Sequence, residues 1–186
     1  MKRRRRISAK IIAAAARRYA EHGFDGRQGV RKRVLAQLFA GRWKPEWDAL
    51  LVDRSLPLGE RLSRFYTEYR GSIDRTQARL WTRAGLLGLH GPAFSRTLEK
   101  RILVPVAREL RHAAGVASKR AVSRKEIELV QMLHGAIAFP HTRSHIFDMN
   151  VYGRLPDLVA MMVRVWLPGA IREERRLTRA SPARGP

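Results

Sequence analysis

An all-α helical bundle is the fold this sequence predicts, and three observations carry the prediction. Apolar residues recur at i, i+3, i+4 and i+7 over most of the 186 residues, the period of a helix with one buried face. No stretch alternates apolar and polar residues as a half-buried strand does, and no internal repeat competes. Ser123-Arg124-Lys125-Glu126 is a capping-box signal, the clearest helix start in the chain.

The elements follow in order. Ser8 can cap a first helix with the stripe Ile12, Ala15, Ala16 and Tyr19, and Gly23 is a natural stop. A second, from about Gln28, repeats the period with Arg31, Val34, Leu35 and Leu38, widened by Phe39, until Gly41. Trp43-Lys44-Pro45-Glu46-Trp47 marks a bend anchored by its two tryptophans, because proline suits a first helical turn and not a helix interior. Ser55-Leu56-Pro57 opens a third helix with Leu58, Leu62, Phe65, Tyr69 and Ile73 on one face. A fourth, from Asp74 to about Leu89, carries Leu80, Trp81, Ala84 and Leu87. Gly91-Pro92 starts a fifth, with Phe94, Leu98, Ile102, Val106 and Leu110 inward, a kink at Pro105 and an end near Ala114-Gly115. A short polar connection, Val116 to Val122, leads to the capped sixth helix, whose stripe is Ile127, Val130, His134 and Ile137 before Pro140 disturbs it. A last helix from about Asp157 carries Leu158, Met162, Val165 and Trp166 and meets Pro168-Gly169, and the tail beyond Thr178 reads as disordered.

Length and a hydrophobic content of 45% suit one compact unit able to bury well over half of its unfolded surface. No run approaches the roughly 18 apolar residues of a membrane span; Leu155 to Leu167 is broken by Pro156, Asp157 and Arg164. Lys2 to Arg6 is basic like an export-signal start, but Ser8, Lys10, Arg17 and Arg18 make the segment a cationic arm on a helix. Without cysteine there is no disulfide framework and no thiolate ligand or nucleophile, and the cytoplasm is the simplest compartment.

The formal charge of +22 admits nucleic acid, anionic lipid or ribosomal surfaces as partners. Residues 1–33 carry twelve Lys or Arg against Glu21 and Asp25, a net of +10, and residues 164–186 carry six against Glu173 and Glu174, a net of +4. Arginine outnumbers lysine 31 to 7, which base composition of the gene alone can produce on solvated faces. The concentration of charge at the N-terminus favours function there: Arg3, Arg4, Arg5, Arg6, Lys10, Arg17, Arg18, Arg31, Lys32 and Arg33 can contact phosphates, which position a protein on a duplex without reading sequence. No aromatic residues interleave with them, against a single-strand stacking platform.

Tyr19-Ala20-Glu21-His22-Gly23-Phe24-Asp25-Gly26 resembles the end of the first helix of tetracycline-repressor-type (TetR family) regulators. Val34-Leu35-Ala36-Gln37-Leu38-Phe39-Ala40-Gly41-Arg42-Trp43, followed by Ser55-Leu56-Pro57-Leu58-Gly59-Glu60-Arg61-Leu62, is similar to the helix joining reader to sensor in that family. Leu133-His134-Gly135-Ala136 and Arg143-Ser144-His145-Ile146-Phe147 are similar to its late, dimer-forming helices. The resemblance implies a basic arm and head over residues 1–42, a ligand-binding and dimerisation domain over 43–178 and a tail over 179–186. It implies a homodimer through Ile127, Val130, His134, Ile137, Leu158, Met162, Val165 and Trp166, and a small apolar ligand held by Phe65, Tyr69, Trp81 and Phe94. Ordinary core is the competing reading of those four aromatics, since stripes at helical spacing usually pack inward.

The sequence departs from the family where the family reads DNA. A helix-turn-helix presents its second helix to the major groove, but only Arg27 to Arg33, seven residues, separate Gly26 from Val34. At about 1.5 Å per residue that is at most two helical turns, too few for two helices and a turn. No base-reading residue is carried over, and DNA binding is expected to be weakened or non-specific. Two readings stay open: a ligand-responsive TetR-like transcriptional regulator with a shortened head, or a sensing and dimerisation module that does not read DNA and pairs with a full-length relative. Membrane association through the cationic first helix is weaker, because its apolar face is mostly alanine.

His141 and His145, four apart, with His134 nearby invite a metal. With no cysteine, no His-Glu-x-x-His and Asp148 as the nearest carboxylate, neither a metal site nor any cofactor is expected. The chain lacks a phosphate-binding glycine loop, a Gly-x-Ser-x-Gly elbow and a carboxylate pair beyond Glu173-Glu174, so catalysis is not expected.

Overall fold

The computed structural model describes residues 9–23, 34, 43–89, 91–116 and 120–179, and every regular element among them is a helix. In chain order these are α1 (Ala9–His22), α2 (Pro45–Val52), α3 (Leu58–Gly71), α4 (Arg75–Leu86), α5 (Gly91–Leu98), a wide π turn (Glu99–Leu103), α6 (Val104–Ala113), α7 (Arg124–His145) and α8 (Leu155–Arg179). The all-α expectation holds. The helix from Gln28 to Gly41 lies outside the described residues except for Val34, which is helical and buried. The tail from residue 180 lies outside them too.

The main core gathers Leu62 and Phe65 of α3, Val106 and Leu110 of α6, Val130, Leu133 and Ile137 of α7, and Val159 and Val163 of α8. Helix α3 packs most extensively on α8, with Gly59 facing Leu167 and Val163 across the contact. A second cluster joins Tyr19 and Ala20 of α1 to Val34 and to Leu80 of α4, with Ile12, Ala15 and Ala16 partly buried against it, so the stripe read for α1 is its packed face. Arg83 of α4 reinforces this contact by donating to the carbonyl oxygens of Tyr19, at 3.2 Å, and Glu21, at 3.0 Å. The end of α1 is thereby capped by a helix of the main body. Gly23, at φ +93°, makes the left-handed exit that a residue without Cβ adopts most cheaply.

Capping chemistry sets the other helix starts. Ser123 Oγ accepts from Glu126 N and Glu126 Oε2 accepts from Ser123 N at 2.7 Å, the box read from the sequence. Asp74 and Gln77 form a second box at the start of α4, with bonds of 2.8 and 3.0 Å. The irregularity expected at Pro105 falls just before it. Proline has no N–H to offer the preceding turn, and Glu99–Leu103 widens so that Val104 N donates to Glu99 O.

Two expectations are corrected. α7 runs through Pro140 to His145, and α8 runs through Pro168-Gly169 to Arg179. An interior proline costs about 3 kcal/mol, and tertiary packing on both sides outweighs it. Ile137 and Pro140 are buried on α7, and Val159, Val163, Ala170 and Glu174 continue one buried stripe of α8 past Pro168.

Candidate functional site

A cavity of about 320 Å³ lies between α2, α3, α4, the α5 end and α7. Its aromatic wall is built by packing. Trp47 is wholly buried and meets Trp43 edge-on at 5.4 Å and Tyr69 edge-on at 5.5 Å, so the tryptophan bend is anchored as expected. Trp81 of α4 closes the wall. Two carboxylates behind this wall are engaged elsewhere. Asp48 accepts from Trp43 Nε1 at 2.8 Å and from Arg101 Nη1 at 2.7 Å, and Glu68 accepts from Trp47 Nε1 at 3.1 Å.

The opposite wall is polar and comes mainly from α7. Gln131, His134 and His141 reach the cavity, with Arg70 of α3 beside them. His134 is 9% exposed, with its ring 5.8 Å from Tyr66 and 6.1 Å from Tyr69. Burial first, and then the charge of Arg70, holds the His134 imidazole down to about 4, and the same two causes hold His141 to about 4. Both rings are therefore neutral at neutral pH. His134 Nδ1 and Gln131 Oε1 are buried with no hydrogen-bond partner, an arrangement that costs free energy unless something else satisfies it.

The aromatics expected to hold a ligand separate. Tyr69 and Trp81 line the cavity, whereas Phe65 is buried in the core behind Tyr69, its ring stacked on that of Tyr69 at 5.5 Å. The side chain of Phe94 lies outside the described residues. Trp43, Trp47, Arg70, Gln131 and His141 are cavity residues that the sequence reading missed; Trp43 and Trp47 were legible only as a bend.

The residues expected at a dimer interface are corrected more strongly. Val130, His134 and Ile137 are buried within the monomer, and Ile127, Met162 and Trp166 pack against its core, Trp166 Nε1 donating to Leu129 O at 3.2 Å. Leu158 is half-buried and Val165 is 75% exposed. Of the expected residues only Val165 is exposed, and the large apolar side chains that α7 and α8 leave outside with it are Met132, Phe139 and Met161. The stripe rule finds the more apolar face of a helix, which here is the core face.

Of the proposed phosphate contacts, Lys10, Arg17 and Arg18 stand exposed on α1, on the side away from Tyr19 and Ala20. Arg3, Arg4, Arg5, Arg6, Arg31, Lys32 and Arg33 lie outside the described residues. His141 and His145 do meet, ring to ring at 5.3 Å, but among the described residues no group of three His, Cys, Asp or Glu is arranged to hold a metal. No helix among the described residues is long and apolar enough to cross a membrane.

Two buried ionic clusters tie the bundle together beyond the cavity. Glu109 accepts from Arg61 at 2.8 Å and from Arg54 at 2.9 Å. Arg111 bonds Glu126, with Glu174 of α8 at 3.8 Å. Neither reaches the cavity, and both join helices distant in sequence.

Comparison of this chain with protein-family models, with curated proteins and with solved structures returns no match.

Proposed function

We propose that this chain is a TetR-like regulatory protein, a homodimer in which a small molecule in the cavity alters how the basic N-terminal helix is presented to DNA. One observation carries the reading: α4 serves both places. Its residues Gln77, Ala78, Trp81 and Thr82 line the cavity, while Leu80 and Arg83 of the same helix grip the end of α1. A ligand that rotates or shifts α4 must disturb the seat of α1, which is the physical content of coupling between two sites. Lys10, Arg17 and Arg18 on the outer side of α1 supply phosphate contacts.

Dimerisation is supported by the exposed apolar side chains of α7 and α8. Val165→Lys adds a charge to a side chain that is 75% exposed, so monomer stability is expected to stay within about 0.5 kcal/mol. Sedimentation velocity is expected to show a wild-type dimer and a V165K monomer. A wild-type chain that stays monomeric at all concentrations removes the dimer from the proposal.

The second reading, a sensing and dimerisation module that does not read sequence, is favoured by the interval Arg27 to Arg33. Val34 shares a cluster with Tyr19 and Ala20, so the chain is back against α1 within eleven residues of Gly23. The two readings part in one experiment: selection of duplexes from a random library by the purified chain over a salt series. Enrichment of a two-fold symmetric sequence that survives physiological salt supports the regulator. Binding that is blind to sequence and vanishes with salt leaves the sensing module.

A further inference from the structure

We infer that the cavity is built for a planar aromatic acid, with the ring between the aromatic walls and the carboxylate against Arg70 and His134. The inference rests on the reading of the cavity as a ligand site and replaces the apolar ligand that the sequence resemblance implied.

Four features argue for the ring and its charge. First, Trp43, Trp47, Tyr69 and Trp81 face the space from three elements, and flat π surfaces of this kind select flat ligands by offset or edge-on stacking. Second, the cavity volume of about 320 Å³ is at the small end of ligand sites, suited to one fused or substituted ring and not to a long chain.

Third, the charge on the walls has one sign. Arg70 and Arg101 line the cavity and, among the described residues, no Asp or Glu does. Arg101 is already bonded to Asp48, and its guanidinium lies 5.6 Å from the Trp43 ring centroid. Arg70 donates from Nη2 to the Ala138 carbonyl at 3.2 Å, and its charge depresses both histidines after burial. A ligand carboxylate at this wall gains the charge-assisted attraction of the half-buried Arg70 guanidinium. An aromatic cage for a cation needs the opposite, electron-rich rings with no guanidinium among them.

Fourth, His134 Nδ1 and Gln131 Oε1 are buried without partners on the same wall, one helical turn apart on α7. A neutral imidazole with its proton on Nδ1 is a donor, so a carboxylate oxygen satisfies it. The Gln131 amide offers its oxygen or, flipped, its NH₂, so a ring hydroxyl or the second carboxylate oxygen can satisfy that group. Aromatic walls, a guanidinium and the two residues that carry unsatisfied polar atoms thus border one space.

The test uses the full chain and three probes of one shape: 2-naphthoate, neutral 2-naphthamide and cationic 2-naphthylmethylammonium. Binding is read by quenching of tryptophan fluorescence, since Trp43, Trp47 and Trp81 line the cavity. The acid is expected to bind at least about ten-fold tighter than the amide, the scale of one charge-assisted bond in a partly dry site. Arg70→Met is expected to bring that ratio close to one while amide affinity changes little, and Arg70→Lys to restore part of it. The comparison of the three probes on the wild-type chain stands even where R70M does not fold. Equal binding of acid and amide, or tightest binding of the cation, overturns the aromatic acid and leaves the cavity as a ligand site. No quenching by any probe overturns both.

Discussion

Arg111→Met is expected to remove about 3–5 kcal/mol of stability, the usual result of breaking a buried ion pair by deleting one partner. Arg111 and Glu126 are both almost wholly buried. The guanidinium bonds Glu126 through Nε, and through Nη2 at 2.9 Å, and it also donates to the carbonyls of Arg120 at 2.8 Å and Ala121 at 2.9 Å. One side chain of α6 therefore fixes the entry to α7. Burial pushes the Glu126 carboxyl up, but the bonds from Arg111 and Ser123 outweigh it and hold the group at about 2. Methionine fills much of the volume and removes the charge, leaving Glu126 and two carbonyls with too few donors. Glu126 is also half of the capping box, so the start of α7 loosens with it. Urea unfolding checks the size of the loss. A change below about 1 kcal/mol would put this pair with exposed ones such as Arg154–Asp157, whose side chains are mostly solvated and whose removal is expected to cost little.

The same residues show what a sequence can and cannot disclose. Ser123-x-x-Glu126 is legible because a capping box is local, four residues closing on one another. The second bond of Glu126, to a residue 15 positions earlier, has no local signature, nor does the approach of Glu174, 48 positions later. Glu173-Glu174 is legible in the sequence only as a carboxylate pair, and one of the two is fully buried. On α3, Phe65 and Tyr69 belong to one apolar stripe and share one face, yet Phe65 is fully buried against Trp43 and Trp47 while Tyr69 lines the cavity. Periodicity finds the face, and only the neighbouring helices divide it into core and pocket. His134 and Val165 read in the sequence as parts of one interface, and the structure divides them, His134 buried in the monomer and Val165 exposed. Both sit on amphipathic helices with apolar residues on two sides, and composition does not tell which side meets the monomer core. The prolines of α7 and α8 misled because local propensity is a penalty of a few kcal/mol, which a long buried stripe exceeds.

The second large effect is on pH dependence, through Glu174. Its two carboxyl oxygens are buried without a hydrogen bond, 3.8 Å from Arg111 and close to the ionised Glu126. Burial first, then the Glu126 carboxylate, pushes Glu174 up from 4.5 to about 7. A proton on Glu174 resolves the arrangement, because the acid then donates to Glu126 and joins the C-terminal half of α8 to the start of α7. The native state holds this proton between about pH 4.5 and 7, where the unfolded chain has released it. The contribution is complete below pH 4.5 and is lost as pH rises through 7, by an amount on the order of 1–3 kcal/mol. Other groups act against this slope. His134 and His141, held near 4 from 6.5, contribute stability that is present above 6.5 and lost as pH falls through 4, and Glu126 loses its contribution as pH falls from 4.5 through about 2. The raw stability profile therefore mixes opposing terms. The comparison with Glu174→Gln isolates one of them, since the amide donates to Glu126 at every pH while the histidines stay as they are. Unfolding free energies at half-unit steps from pH 4.5 to 8 are expected to show the wild type losing stability relative to E174Q as pH rises, with the difference levelling above about pH 7 to 8. A difference that is flat across this range would mean that Glu174 is already ionised in the native state, and that Arg111 and Arg120 together balance two buried carboxylates.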